Sequence, residues 1–227
     1  MFDRLKTSIA QGKIAVTRSH ANRDVAQWAA AQGFLCTVAA EGKGFGLTGE
    51  VGDKPWKMEC GSASRDYIRG RELRARAELR IKEDVSVVIM NRSLKEVLEK
   101  RAYESYTDTL QTAAAVNLTE EMRWLAMYPE VGWDGPPQPF WNRYAVMAEH
   151  SHHAADWLDP LLAELLLSWP QPGPDAQVPV MLMLLRGKAY LRMQYTPADL
   201  PTLAHATHIF TRACQSAIDR LSTDLAI

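Results

Sequence analysis

The residues with the clearest capacity for chemistry lie together at positions 149–156, in the order Glu-His-Ser-His-His-Ala-Ala-Asp. Imidazole and carboxylate groups are common protein ligands of transition metals. If the segment is helical, four of these groups share one face, because residues three and four apart are neighbours on a helix. They are Glu149, His152, His153 and Asp156. The pattern predicts a transition-metal site, and with it a metal-dependent enzyme, or else a polar helix face in contact with water.

The surroundings of this segment favour the polar face. The spacing of apolar residues predicts an amphipathic helix from about Phe140 to Trp157, with Tyr144 and Met147 on its buried side. The candidate ligands would then point towards water, whereas a catalytic metal needs a sheltered site with supporting hydrogen bonds. A second Glu-x-x-His motif, as in di-iron proteins, does not occur in the sequence.

A second candidate site is a set of arginines separated by two or four residues, Arg74, Arg76 and Arg80. Apolar residues alternate with these charged residues along the segment. A period of two is typical of a strand with one buried face. We predict a strand from Leu73 to Lys82 with a basic outer face. Guanidinium groups bind carboxylates and phosphates, so this face could bind a protein, RNA or another anionic ligand. The strand has no outward aromatic residue to stack on a base, which disfavours RNA.

Tryptophan is concentrated in the middle of the chain, where five of the seven lie between positions 124 and 169. Tryptophan is enriched at the centres of protein interfaces, and it is also a common core residue. Trp133 lies in a loop rich in proline and glycine, and Trp141 and Trp157 flank the apolar stripe of the predicted helix. These three residues are candidate contacts for a protein partner or for a second copy of the chain.

No motif in the sequence defines a reaction. A Gly-x-Ser-x-Gly nucleophile motif is absent, and the glycines at positions 42–46 lack the Lys-Ser/Thr of a phosphate-binding loop. Three widely separated cysteines are typical of a reducing cytosol. No apolar stretch reaches the roughly 18–20 residues of a membrane helix. We expect a cytoplasmic protein that acts by binding rather than catalysis and requires no cofactor.

Charge is unevenly distributed along the 227 residues, although the net charge is only −1. A dedicated nucleic-acid-binding protein is usually basic overall, so nucleic acid is not the expected partner. Residues 102–176 contain 11 acidic and 2 basic side chains, whereas residues 65–101 contain 11 basic and 7 acidic ones. The acidic middle could be a solvated surface, or it could dock on the basic parts, within one chain or between two copies.

The apolar spacing divides the chain into three parts. Residues 33–90 have a period of two and glycine-rich turns, which predicts a β-meander. Residues 92–168 have mainly helical spacing, and residues 178–225 predict a β-hairpin followed by a long helix. A lone hairpin is not stable in water, so it should join the sheet of the meander. We therefore predict one α+β domain over residues 1–227: an antiparallel sheet, a helical insertion, and a C-terminal hairpin and helix that pack on the sheet.

Overall fold

The computed structural model of the protein describes residues 22–39, 44–112 and 119–222. In these ranges the chain forms seven helices and a nine-stranded antiparallel sheet, which confirms the predicted α+β class. The helices are α1 (22–31), α2 (Arg92–Thr112), α3 (Glu120–Met127), α4 (Gln138–Arg143), α5 (Ser151–Trp157), α6 (Pro160–Leu167) and α7 (Leu200–Leu221). The strands are β1 (Leu35–Val38), β2 (Phe45–Val51), β3 (Lys54–Ser62), β4 (Arg71–Glu78), β5 (Ser86–Asn91), β6 (Glu130–Val131), β7 (Tyr144–Ala148), β8 (Val180–Leu185) and β9 (Lys188–Gln194).

The C-terminal hairpin forms the centre of the sheet. The strand order is β1-β2-β3-β4-β9-β8-β5-β7-β6. Strands β8 and β9 therefore lie between β1 to β4 on one side and β5, β7 and β6 on the other. A two-residue turn joins them, and Arg186 and Gly187 both have positive φ. Two consecutive residues of this kind suit a tight hairpin turn, because they match the twist of the flanking strands.

One face of the sheet carries the larger hydrophobic core. Helix α7 packs on this face and buries Leu203, Phe210 and Ala217 among its inward residues. The helix starts where the Asp199 carboxylate accepts a hydrogen bond from the Thr202 amide at 2.9 Å, which satisfies an otherwise unpaired donor of the first turn. Helices α5 and α6 pack against α7, and helices contact this face of the sheet at β2, β9, β5 and β7.

Within the described ranges, the other face is covered over only part of its width. Helices α2 and α3 pack on β5, β7 and β8 around a second core that includes Leu94, Leu98, Met122, Met147 and Met181. The outer faces of β2, β3 and β4 line an open groove instead. The open part of this face therefore carries charged side chains of neighbouring strands, and the opposite face of the same strands carries buried apolar side chains.

Residues 144–148 form strand β7, so the predicted helix from Phe140 to Trp157 is wrong. All five residues of β7 are buried, because the strand pairs with β5 and β6 and has cores on both faces. A strand buried on both sides has a continuous apolar sequence, and its period does not distinguish it from a buried helix.

Strand β4 is shorter than the predicted strand from Leu73 to Lys82, although its alternation is as expected. Leu73 and Ala75 are buried, and Arg76 is exposed. Beyond the end of the strand, Arg80 has a φ of 54°, a left-handed conformation that interrupts extended backbone. Arg80 therefore does not continue the outer arginine row, and this part of the prediction is wrong.

Candidate binding surface on the outer sheet face

The candidate functional site is a groove of about 1080 Å³ on the outer face of β2, β3, β4 and β9, which we call the open groove. Its outward-facing polar residues come from four adjacent strands. They are Thr48, Glu50, Lys57, Glu59, Arg74, Arg76, Glu78, Tyr190 and Arg192. The sheet therefore concentrates charged groups of both signs in one concave surface.

The strand register places like charges directly opposite each other in the open groove. Lys57 of β3 pairs with Arg76 of β4, and Arg74 of β4 pairs with Arg192 of β9. Like charges at directly opposed positions destabilise a sheet. The repulsion must be balanced by carboxylates nearby or by a bound ligand.

Glutamates within the groove balance two of these cations. The Lys57 Nζ lies 2.5 Å from the Glu59 carboxylate, and the Arg76 guanidinium donates to the Glu78 carboxylate at 2.5 Å. The hydrogen bond from Arg76 and the charge of Lys188 hold the pKa of Glu78 below its ordinary value. Because both pairs are well exposed to water, neither contributes much to stability.

Arg74 is the least compensated cation among those that line the groove. Its guanidinium Nη2 lies 3.9 Å from the Glu59 carboxylate, which already contacts Lys57. The Arg74 Nε is buried and has no hydrogen-bond partner. Its side chain is nevertheless 40% exposed, so an anion entering the groove can reach the guanidinium.

A buried ion-pair cluster adjoins the groove at Arg192. The Glu121 carboxylate accepts hydrogen bonds from Arg65 Nε at 2.6 Å and from the Tyr67 hydroxyl at 3.1 Å, and it also contacts Arg192. The Arg192 Nε lies 3.0 Å from a carboxylate oxygen of Glu72. Both glutamates are fully buried, and the Glu72 carboxylate also accepts a hydrogen bond from the Ser64 amide at 2.6 Å, so protein groups stabilise both charges.

This cluster shows how the sheet binds an acidic helix. Burial raises the pKa of Glu121, but a backbone hydrogen bond and the Arg65 guanidinium together outweigh it and hold the pKa below its ordinary value. The second carboxylate oxygen of Glu121 is buried without a hydrogen-bond partner. Part of the acidic middle segment thus docks on basic residues of the same chain.

The four predicted metal ligands do not share a helix face. Helix α5 begins at Ser151, so Glu149 precedes it, and the side chains of Glu149 and Asp156 are exposed. Across the ranges that the structure describes, no three histidine, cysteine, aspartate or glutamate residues are placed to hold a metal ion. The helix on which the metal hypothesis rested is interrupted by β7, which removes its geometric basis.

Three histidines form a small cluster at the start of α5. The ring centroids of His152 and His153 are 4.2 Å apart, and the His150 ring lies 5.5 Å from that of His153. His153 is buried, and its Nδ1 has no hydrogen-bond partner. Burial lowers the pKa of His153, the charges of His152 and His150 lower it further, and Asp84 acts in the opposite direction.

The three candidate tryptophans have different environments. Trp157 is fully buried, and its Nε1 donates to the Ala213 carbonyl at 2.9 Å, so its prediction as a partner contact is wrong. It lies inside the core because α5 packs on α7. Trp133 and Trp141 are partly buried and contact each other edge to face at 5.2 Å. Trp133 also lines a separate apolar cavity of about 550 Å³.

Sequence reasoning missed several residues that the structure brings to the groove, among them Lys57, Glu59 and Arg192. A signal for Arg192 was present, because it interrupts the apolar sequence between Leu191 and Met193. Its partners could not be identified, since they depend on the register between strands that are distant in sequence.

Comparison of the chain with protein-family models, with curated proteins and with solved structures finds no significant match. Among the helices of the described ranges, none has both the length and the apolar character needed to cross a bilayer. The function must therefore be argued from the surfaces of the molecule itself.

Proposed function

We propose that the protein is a binding module without catalytic activity, and that the open groove is its surface for a protein partner. The observation that carries this proposal is the half-covered sheet face. Helices α2 and α3 cover it over β5, β7 and β8, and among the residues that the structure describes a charged concave surface remains over β2, β3 and β4. Arginine and tyrosine, both present in the groove, are enriched in protein interfaces.

The mixed charge of the groove supports a protein rather than a nucleic acid as partner. Glu50, Glu59 and Glu78 alternate with the cations. A phosphodiester chain has a negative charge at every nucleotide and would meet these carboxylates at close range. A protein surface can present both signs in complementary positions.

The composition of the groove also favours binding over catalysis. Its lining contains no histidine, cysteine or serine in the part of the chain that the structure describes. The carboxylates of Glu59 and Glu78 each contact a lysine or an arginine, so neither is free to act on a substrate. The buried, pKa-shifted His153 belongs to a different surface and does not line the groove.

Selection from a displayed random peptide library tests the proposal without assuming the partner. The wild-type protein is the bait, and a Lys57→Glu/Arg76→Glu variant tests dependence on the groove. An Arg23→Glu/Arg220→Glu variant is the matched control, since both arginines are exposed and lie outside the groove. We expect peptides that bind the wild type and the control but bind the groove variant about tenfold more weakly or worse. An empty selection, or peptides that bind all three equally, would overturn the proposal.

A further inference from the structure

We infer that the apolar cavity beside Trp133 is a second binding site, and that its ligand is a small organic amine, with a cationic ammonium group on an apolar body. The cavity is separate from the open groove, so the inference goes beyond the proposed function and does not depend on it. Three features of the described residues carry it: the apolar walls, the fixed positions of those walls, and two carboxylates in the lining that have no ion-pair partner.

The cavity lies between the loop that follows β6 and the corner that joins α5 to α6. The loop contributes Trp133 and Pro137, the end of α5 contributes Leu158, and α6 contributes Ala163 and Leu167. The volume of about 550 Å³ is within the range of small-molecule sites, which are lined mainly by apolar and aromatic side chains with a few polar groups. The size and the lining therefore suit the apolar body of a small ligand.

Hydrogen bonds and ring contacts hold the walls of the cavity in place. The Asp159 carboxylate accepts a hydrogen bond from the Leu162 amide at 2.8 Å at the start of α6, and it also contacts Arg212 of α7. The ring of Trp133 packs edge to face on that of Trp141, with the centroids 5.2 Å apart. Because these walls are already ordered, little conformational entropy is lost when a ligand binds.

The charges in the lining favour a cation over an anion. In the described ranges, the charged side chains that line the cavity are Asp134, Asp159, Glu164 and Arg220. Asp159 is paired with Arg212. Asp134 and Glu164 are exposed, and neither forms an ion pair with a residue that the structure describes. Arg220 offsets one of these two charges, so the lining keeps an excess of negative charge.

The wider electrostatic field and the aromatic ring act in the same direction. The cavity lies mainly within residues 102–176, which contain 11 acidic and 2 basic side chains. Trp133 is partly buried and directly precedes Asp134 in the loop. An ammonium group near an indole ring and a carboxylate gains a cation–π interaction and an ionic attraction together. A ligand carboxylate would be repelled at the same place, and a neutral polar group would gain neither interaction.

Titration with three probes, followed by heteronuclear NMR, tests the inference. The signal of the Trp133 indole N–H, assigned by its loss in a Trp133→Phe variant, reports on the cavity. The probes have similar shapes and different charges: phenethylamine is a cation, phenethyl alcohol is neutral, and phenylacetate is an anion. We expect a saturable shift of the Trp133 signal with phenethylamine, at an affinity about tenfold higher than that of the alcohol, and the weakest binding for phenylacetate. Added salt should weaken the binding of the amine and not that of the alcohol.

Substitutions separate the charge of the cavity from its shape. Asp134→Asn/Glu164→Gln removes both unpaired carboxylates, and Glu83→Gln/Glu149→Gln is the matched control, because these two glutamates are exposed and lie outside the cavity. We expect phenethylamine to bind the cavity variant about tenfold more weakly than the control, with the affinity of the alcohol unchanged. Ala155→Leu adds bulk to the lining without a change of charge and should weaken the binding of both probes.

Three results would overturn the inference. These are the absence of a saturable shift of the Trp133 signal with any probe, equal affinities for the amine and the alcohol, and equal weakening by the two carboxylate variants. Thermal unfolding shows that each variant is folded, and both carboxylate variants change only exposed side chains. Because the cavity and the open groove are distinct surfaces, failure of the amine titration leaves groove-dependent peptide binding intact, and an empty peptide selection leaves the cavity site intact.

Discussion

At the scale of single residues, the molecule buries ionisable groups in two different ways. Glu121 is fully buried but is held by two arginines, so its charged form is stabilised. His153 is almost as buried, and its Nδ1 has no partner, so its charged form is destabilised. The two groups should therefore respond to acid in separate pH ranges.

The lowered pKa of His153 predicts that the folded state loses stability as the pH falls below neutral. Burial and the charges of His152, His150 and Lys82 hold its pKa below the ordinary value of 6.5, against the opposing effect of Asp84. The unfolded chain then binds more protons than the folded chain, so the free energy of unfolding falls as the pH drops below about 6.5. The His153→Gln variant should lose this dependence. Urea unfolding between about pH 5 and pH 8 measures it.

His208→Gln is the control for this prediction, because His208 is exposed on α7. His205 also has a lowered pKa through burial, so its contribution remains in both variants. The prediction concerns the difference between the wild type and the His153 variant. A parallel pH dependence of the two proteins would show that His153 does not destabilise the folded state in acid.

At the scale of elements, α3 is attached to the sheet both by the packing of Met122 and by the buried carboxylate of Glu121. Glu120 and Glu121 are neighbours in its first turn, but the Glu120 side chain is 54% exposed and lies 3.9 Å from Arg65. Glu121→Gln removes the buried carboxylate that pairs with the partly buried Arg65 and Arg192, and we expect it to cost about 2 kcal/mol of unfolding free energy. Glu120→Gln should cost about 0.5 kcal/mol or less. Hydrogen exchange of the α3 amides should accelerate only in the Glu121 variant.

The charged form of Glu121 stabilises the folded state, whereas the charged form of His153 destabilises it. Its pKa in the folded state is below the ordinary value of 4.5, so the stabilisation is complete at neutral pH and is lost as the pH falls below that value. The Glu121→Gln variant should therefore differ most from the wild type above about pH 5. Equal stability losses for the two neighbouring substitutions would show that the buried ion pair does not anchor α3.

The predictability of each element from sequence depended on how many of its faces are buried. Strand β4 has one buried and one wet face, so its alternation revealed both the strand and the outward arginines Arg74 and Arg76. Strand β7 is buried on both faces, and its apolar run was mistaken for helix. That error placed Glu149 on the same helix face as His152, from which the metal hypothesis followed.

The remaining groove residues could not be predicted because strand register is non-local. Lys57 and Arg76 are 19 positions apart, and Arg74 and Arg192 are 118 positions apart in the printed sequence. Local spacing indicates which face a side chain occupies, but not which residue of another strand lies opposite. The like-charge pairs, and the pairing of Glu59 with Arg74, became visible only when the register was known.

At the scale of the whole molecule, ion pairs between the acidic middle segment and basic residues connect distant parts of one chain. Glu130, in the acidic middle, lies 3.0 Å from Arg92 and 3.2 Å from Lys95 of α2. Glu121 similarly connects α3 to Arg65 and Arg192. Exposed carboxylates remain elsewhere in the middle segment, at Asp134, Glu149, Asp156 and Glu164. A second copy of the chain is therefore one available source of acidic groups for the open groove.

This arrangement predicts weak self-association at low ionic strength. The screening length is about 30 Å at 0.01 M salt and about 3 Å at 1 M salt, so attraction between exposed charges should act only at the lower concentration. Sedimentation velocity should show a sedimentation coefficient that rises with protein concentration at about 0.01 M salt and is constant at about 1 M. Lys57→Gln/Arg76→Gln should reduce the association, whereas Arg23→Gln/Arg220→Gln should not. Association that strengthens with salt would instead indicate an apolar contact, and a monomer under all conditions would exclude a second copy as the occupant of the groove.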